Sequence, residues 1–328
     1  MAQKRKKTRP ALVRRLWQAL THSAAALATL ALPAVVMAQN TGSSTSTEVQ
    51  LFQAGQVSWE WLLIPANHGS GAQAMRNGTA CLSCHDGEAS FIGETVASTP
   101  ALEPDPIANL PGFIDLSVQS AIRDGQLHLQ LSWPDLSDDG PAGESEYPAQ
   151  VTASIADDTH DTVRRYSCWS SCHSDLPGMS EGIGSQLSKY LPNSRSSMTR
   201  TGGGDNFRPD NELAEERERG AFLEYWHTAL AGPDRAVVSD GHFLEAQREH
   251  DDTAVTATAR SENGQRIVEL QRPLEPQGDT RKALQPGGRY SISFAVYERN
   301  TEGRRHLVSF PLELIIEADA ARIGSLFD

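Results

Sequence analysis

The chain is poor in cysteine, in long apolar runs and, past its first stretch, in positive charge. Its 328 residues hold four cysteines with none to spare: Cys81 and Cys84 form one close pair, Cys168 and Cys172 the other. In an oxidising compartment such pairs could close as two disulfides, but each pair is followed directly by a histidine, which argues for another use. A single apolar run is present, from about Ala24 to Ala38, and no second stretch is long enough to cross a bilayer. No internal repeat is present, and the two cysteine pairs differ in spacing and surroundings, so they are not copies of one unit.

The charge deficit has a definite place. Seven of the 29 Lys and Arg residues fall within residues 1–38, which contain no acidic residue. A basic start, an apolar run and the small residues of Val36-Met37-Ala38 read as a secretory signal peptide, cleaved after residue 38. An uncleaved anchor is the alternative. The remaining 290 residues carry 22 basic against 42 acidic side chains, a formal balance of −20. That balance excludes nucleic acid as a partner and suits either a basic docking surface or simple solubility. The expected compartment is the periplasm.

Thr79-Ala80-Cys81-Leu82-Ser83-Cys84-His85-Asp86 contains the attachment pattern of a c-type haem, Cys-x-x-Cys-His. On a helix, positions i, i+3 and i+4 share a face. Cys81 and Cys84 can therefore reach the two vinyl groups on one porphyrin edge, while His85 stands below the iron as proximal ligand. A disulfide, a redox dithiol or half of a zinc site are the other uses of such residues. The second pattern, Cys168-Trp169-Ser170-Ser171-Cys172-His173, is one residue longer. On an ideal helix His173 is rotated away from the two sulfurs, so one residue must bulge for all three to serve a second haem. A four-cysteine zinc site or a disulfide stands beside that reading.

An electron-transferring haem has both axial positions filled by protein. For the first haem the candidates are His68, in a Gly-flanked loop at residues 67–71, and Met75, six residues before Cys81. For the second they are His306 and Met179. His306 shares strand parity with Val308, Phe310, Leu312, Leu314 and Ile316, which predicts a buried face. Met179 lies six residues after His173, past Pro177-Gly178. His128, His227 and Met198 read as structural or rim positions.

Residues 39–48 read as a polar, flexible lead, and a Pro-rich connection (Pro100, Pro104, Pro106, Pro111) predicts a boundary after residue 104. From Phe113 the pattern changes to period two. Leu127, Leu129, Leu131 and Trp133 alternate with polar residues, Val151–Ala156 is a further strand, and Asn263-Gly264 joins two more as a hairpin. Tyr290–Tyr297 and His306–Ile316 read as another antiparallel pair. Residues 157–235 read as a helical and loop insertion, with an amphipathic helix over Ala221–Leu230. The expected fold is mainly β: an antiparallel β-sandwich over residues 105–328 with a haem-bearing insertion, preceded by a short c-haem segment over 39–104.

Three runs, Arg123–Asp135, Cys168–Met179 and Arg304–Leu312, resemble the ethylbenzene dehydrogenase-related haem-binding family, also described as the cytochrome c/dimethyl sulfoxide reductase-like haem-binding domain. The resemblance spans roughly residues 105–316, and within the family it is nearest in pattern to dihaem c-type cytochromes. It implies a sandwich that holds a haem near its edge, and electron transfer as the role. In subunits of molybdenum enzymes the family haem is b-type and held by Met and Lys. This chain carries a covalent pattern instead, so that ligand pair is not transferred to it. The expected function is a periplasmic dihaem carrier of anaerobic respiration, passing electrons from a quinol-oxidising membrane cytochrome or other donor to a terminal reductase or molybdenum enzyme. A haem enzyme with an open iron (a peroxidase or small reductase) and a haem-based sensing module are the competing classes.

Overall fold

The computed structural model describes residues 44–104, 106–137, 145–173, 189–197, 206–232, 234–303 and 305–326, with the backbone alone at Cys172 and His173. The expected signal peptide, Met179 and Met198 lie outside the described residues.

The chain starts in β1 (Thr45–Gln53) and leaves the sheet for four helices: α1 (Trp59–Leu63), α2 (Pro65–Arg76), α3 (Leu82–His85) and α4 (Ala89–Ser98). It returns through β2 (Phe113–Arg123), β3 (Gln126–Pro134) and β4 (Ala149–Ala156). A second excursion holds α5 (Asp161–Tyr166), a 3-10 turn (Ser167–Ser170), the two-residue strands β5 (Cys172–His173) and β6 (Lys189–Tyr190), and α6 (Asp210–Glu218). Then follow β7 (Leu223–Leu230), β8 (Ala236–Phe243), β9 (Gln247–Glu249), β10 (Thr256–Glu262), β11 (Gln265–Pro273), β12 (Arg289–Glu298), β13 (Leu307–Val308), β14 (Leu312–Ile316) and β15 (Ala321–Ser325).

All these strands except β5 and β6 belong to one antiparallel sheet, in the order β10-β11-β3-β2-β1-β13-β12-β4-β7-β8-β9, with β14 and β15 branching from β12. The sheet curls until β10 meets β7 and β8, so its halves face each other as the layers of a sandwich. Leu127, Leu129, Leu131 and Trp133 of β3 fill the space between them, against Val151 and Ile155 of β4 and Ile292, Phe294 and Val296 of β12. Asp124-Gly125 and Asn263-Gly264 take positive φ at both turn positions, the geometry that joins right-twisted strands with the fewest residues. Among the described residues, the most deeply buried ion pair is that of Arg272 with Glu224. The Arg272 guanidinium donates to both oxygens of Glu224, at 2.9 Å each, and Trp226 Nε1 adds a bond of 2.6 Å to the same carboxylate. These bonds offset the desolvation that burying two charges entails.

Four local expectations are corrected. Thr45–Gln53 includes part of the stretch read as a flexible lead, yet it is an inner strand paired with β2 and β13. Its polar side chains have partners: Thr45 and Thr47 donate to the carbonyls of Ala321 and Ile323, at 2.7 and 2.8 Å. The first Cys motif is therefore inserted between two strands of the sheet rather than set ahead of it, and residues 40–328 form one compact unit. Residues 67–71 are not a loop but part of α2, which is broken at Gly69 (φ 55, ψ −134). Residues 223–230 of the expected helix are strand β7, buried along almost its whole length between β4 and β8. With both faces buried, polar residues (Glu224, His227, Thr228) and apolar ones fall on either face, so the run shows no alternation and can be mistaken for a helix. Finally, His306–Ile316 is not one strand. Ser309-Phe310-Pro311 separate β13 from β14, and parity reverses across the break: Leu307 is in the core on one side, Leu314 and Ile316 on the other. Proline, with no N–H to give the ladder, marks the interruption.

Candidate haem sites

α3 places the first motif as its spacing demands. Cys81 caps it in helical geometry (φ −55, ψ −48), and the amides of Cys84 and His85 bond back to the Cys81 carbonyl at 3.1 and 3.0 Å. The two sulfurs and the imidazole thus sit on one turn. The break at Gly69 ends the first turn of α2 just after His68 and lets that side chain face His85. The two rings are 6.0 Å apart between centres and within 16° of parallel.

Both rings are fixed in the same sense. His68 Nδ1 lies 3.0 Å from the Leu62 carbonyl and His85 Nδ1 lies 2.9 Å from Glu88 Oε2. A carbonyl and a carboxylate accept only, so each Nδ1 is the donor and each Nε2 is the nitrogen left for a metal, the arrangement of metal-bound histidine. Burial lowers the pKa of His68, opposed by the Leu62 bond and reinforced by His85, which keeps it neutral and able to ligate. Gly71 is part of the fit, since a Cβ there would stand 2.6 Å from Cε1 and Nε2 of His68.

Around these groups is an apolar cavity of about 990 Å³, its mouth included, walled by Phe52, Trp61, Met75, Phe91, Trp169 and Phe310. Phe91 is 69 % exposed at that mouth, a ring that a bound planar group would cover. Two imidazoles bound through Nε2 at ~2 Å to one metal have ring centres roughly 6 Å apart, which is the spacing found. The residues fit a haem held by Cys81 and Cys84 with His85 and His68 on its two faces. Met75, the other candidate, lines the cavity but packs with Trp59, Leu63, Tyr166 and Tyr190. Cys81, Cys84 and Cys168 carry free thiols. Burial, with the nearby Cys168, pushes the Cys81 thiol up to about 12.

The second motif is built differently. Ser167 leaves α5 with φ 45 and ψ −126, Cys168 lies in the 3-10 turn, and Ser171 is extended (φ −79, ψ 144) before Cys172 and His173 enter β5. The extra residue is accommodated by abandoning the helix. Ser167 Oγ is tied to Ser293 of β12 at 2.9 Å and Trp169 Nε1 to the Ser309 carbonyl at 2.9 Å. The same segment also grips the approach to the first motif. Tyr166 Oη donates to the carbonyls of Met75 and Thr79 at 2.8 and 3.0 Å, and Arg165 Nη1 to that of Gly78 at 2.8 Å.

His306 is half-buried, just ahead of β13, rather than on a core face as parity predicts. Its Nδ1 donates to the Gly303 carbonyl at 3.1 Å, and its ring lies 5.0 Å from Tyr297. His227 belongs to β7 and has both ring nitrogens engaged, by Thr152 Oγ1 at 2.8 Å and Gln150 Oε1 at 3.0 Å. His128 is half-buried in β3. The sequence reading missed Gly71, Glu88, Phe91, Trp169 and Phe310 as parts of the first site. Two signals were present: a glycine three residues after a candidate ligand, and a proline interrupting a strand just after Phe310.

Comparison with known proteins bears on the family. The family model described as ethylbenzene dehydrogenase matches residues 181–309. Cytochrome c-552 of Stutzerimonas stutzeri is 30% identical over 295 residues, covering 84% of this chain and 87% of that protein. Cytochrome c-551 of Rhodocyclus tenuis is 29% identical over 137 residues, covering 41% of this chain and 55% of that protein.

Proposed function

Because the chain belongs to the c-type cytochrome family of cytochrome c-552, with a haem-binding domain of the ethylbenzene dehydrogenase type, we propose that it is a periplasmic dihaem electron carrier. The observation that supports this reading best is the facing pair His68 and His85, 6.0 Å apart across an apolar cavity. Haem c supplies a reversible one-electron couple when bound. Everything else falls to the chain. Cys81 and Cys84 anchor the porphyrin edge. His85, oriented by Glu88, and His68, oriented by the Leu62 carbonyl, would hold the iron from the two sides of the cavity. The apolar wall excludes water and so tunes the potential.

Cys168, Cys172 and His173 would hold the second haem, with His306 as the candidate further ligand. The Nδ1–H to carbonyl bond of His306 is the same orienting device as at His68. The acidic surface, −20 once residues 1–38 are removed, favours a redox partner with a basic docking face. A quinol-oxidising membrane cytochrome is a donor of that kind, and a terminal reductase or molybdenum enzyme an acceptor. Among the described residues no helix is long and apolar enough to cross a membrane, and residues 1–38 direct export.

The test is chain mass and haem content after expression with cytochrome maturation machinery. The expected result is the mass of the processed chain plus two haems, a matching pyridine haemochrome count, and low-spin spectra unmoved by carbon monoxide. A single haem removes the second site. A reduced form that binds carbon monoxide at the first site removes His68 as ligand.

A further inference from the structure

Trp169 belongs to both motifs at once. In the chain it directly follows Cys168, an anchor of the second haem. In space its indole walls the cavity of the first. The ring is held there: Nε1 donates to the Ser309 carbonyl at 2.9 Å, and the indole stacks on Phe52 with centres 5.6 Å apart and planes within 20°. Phe310 lies 6.0 Å from Trp169 on one side and 5.8 Å from His85 on the other, within 9° of parallel to that imidazole. Cys81 and Trp169 both pack against the one cluster of Trp59, Leu63, Met75, Tyr166 and Tyr190. One residue and one aromatic contact thus join the second motif to the proximal ligand of the first.

We propose that Trp169 is the contact through which the two haems exchange electrons, making them a coupled pair rather than separate carriers. This rests on the dihaem reading above. In the step, one electron leaves a ferrous haem, which becomes ferric, and enters its ferric neighbour, which becomes ferrous. No bond forms and no proton moves. A residue that only fills the wall would change the exchange rate no more than the altered potential difference requires, so both potentials are measured in each variant.

Proton NMR of the partly reduced holoprotein separates these roles, because the haem methyl signals of each site are shifted distinctly by ferric iron and report intramolecular exchange. Haem content is counted first. Rapid exchange is expected in the native chain. Trp169→Leu should slow it by about tenfold, the factor that ~1.4 kcal/mol of activation free energy would give, and Trp169→Phe by a smaller factor. Native slow exchange, or rates unchanged in both variants with two haems present, overturns the proposal. If the leucine variant lacks a haem, the phenylalanine variant decides by the same criterion. A native count of one haem instead defeats the dihaem reading, and the proposal with it.

Discussion

The two Cys-His motifs of this chain solve the same problem at different levels of structure. The first is local. Its anchors and proximal histidine occupy one turn of α3, and the facing histidine comes from α2, only 17 residues before His85. The second is distributed. Its cysteines straddle a 3-10 turn and a two-residue strand, its base is tied to β12 through Ser293, and its candidate distal ligand is 133 residues beyond His173. A site made from one or two helical turns needs little from the sheet. A site that departs from helix geometry must be held by it.

The largest expected effects test that contrast directly. Replacing Cys81 and Cys84 together by Ala should remove one haem and abolish the bis-histidine low-spin signature of the first site, with the second haem retained. Replacing Cys168 and Cys172 should leave the first site's spectrum intact. Haem counting with electron paramagnetic resonance checks both, and loss of both haems in either variant would erase the contrast.

Smaller, and confined to the first site, is the change expected from His68→Met. The covalent haem stays, but thioether replaces imidazole and the potential rises, as methionine ligation does in cytochromes c. A redox titration that finds no change would mean His68 is not a ligand. Gly71→Ala sharpens the point. In a helix this substitution ordinarily adds about 1 kcal/mol of stability, yet here the new Cβ would stand 2.6 Å from the His68 ring. The expected outcome is a high-spin fraction at unchanged haem content, read by optical and resonance Raman spectra.

The smallest effect concerns the sheet beside the second motif. Burial, with Lys189 nearby, lowers the pKa of His227 to about 4 from 6.5. Its neutral form is therefore the folded form. The unfolded chain binds a proton first as pH falls, so this contribution is complete above about pH 6.5 and is lost progressively down to about pH 4, with an upper bound of about 3 kcal/mol. His227→Gln should flatten that part of the stability-against-pH curve, measured by urea unfolding. An equal slope in the variant would assign the acid sensitivity elsewhere.

Much of this was legible because it rests on short-range geometry. The spacing of Cys81, Cys84 and His85 predicts one helical turn, and alternation in β3 or Asn263-Gly264 predicts a strand and its turn, since neighbours in sequence impose these shapes by steric and hydrogen-bond rules alone. β7 was not legible. Both of its faces are buried and each mixes apolar with polar residues (Glu224, His227, Thr228), so periodicity carries no trace of the strand. The parity argument for His306 failed for a related reason: a break at Ser309–Pro311 reverses which side of the sheet each residue faces.

By itself, then, the amino-acid order determined the chemistry: thiols and imidazoles at haem-binding intervals, an acidic chain, and a mainly β fold. The tertiary structure decided which histidine faces His85, which aromatic rings wall the cavity, and how near the two motifs lie to each other. Those choices depend on contacts between residues far apart in the chain, Trp169 with Ser309 or Tyr166 with Met75, and such contacts exist only once the sheet has closed and brought its crossing segments together.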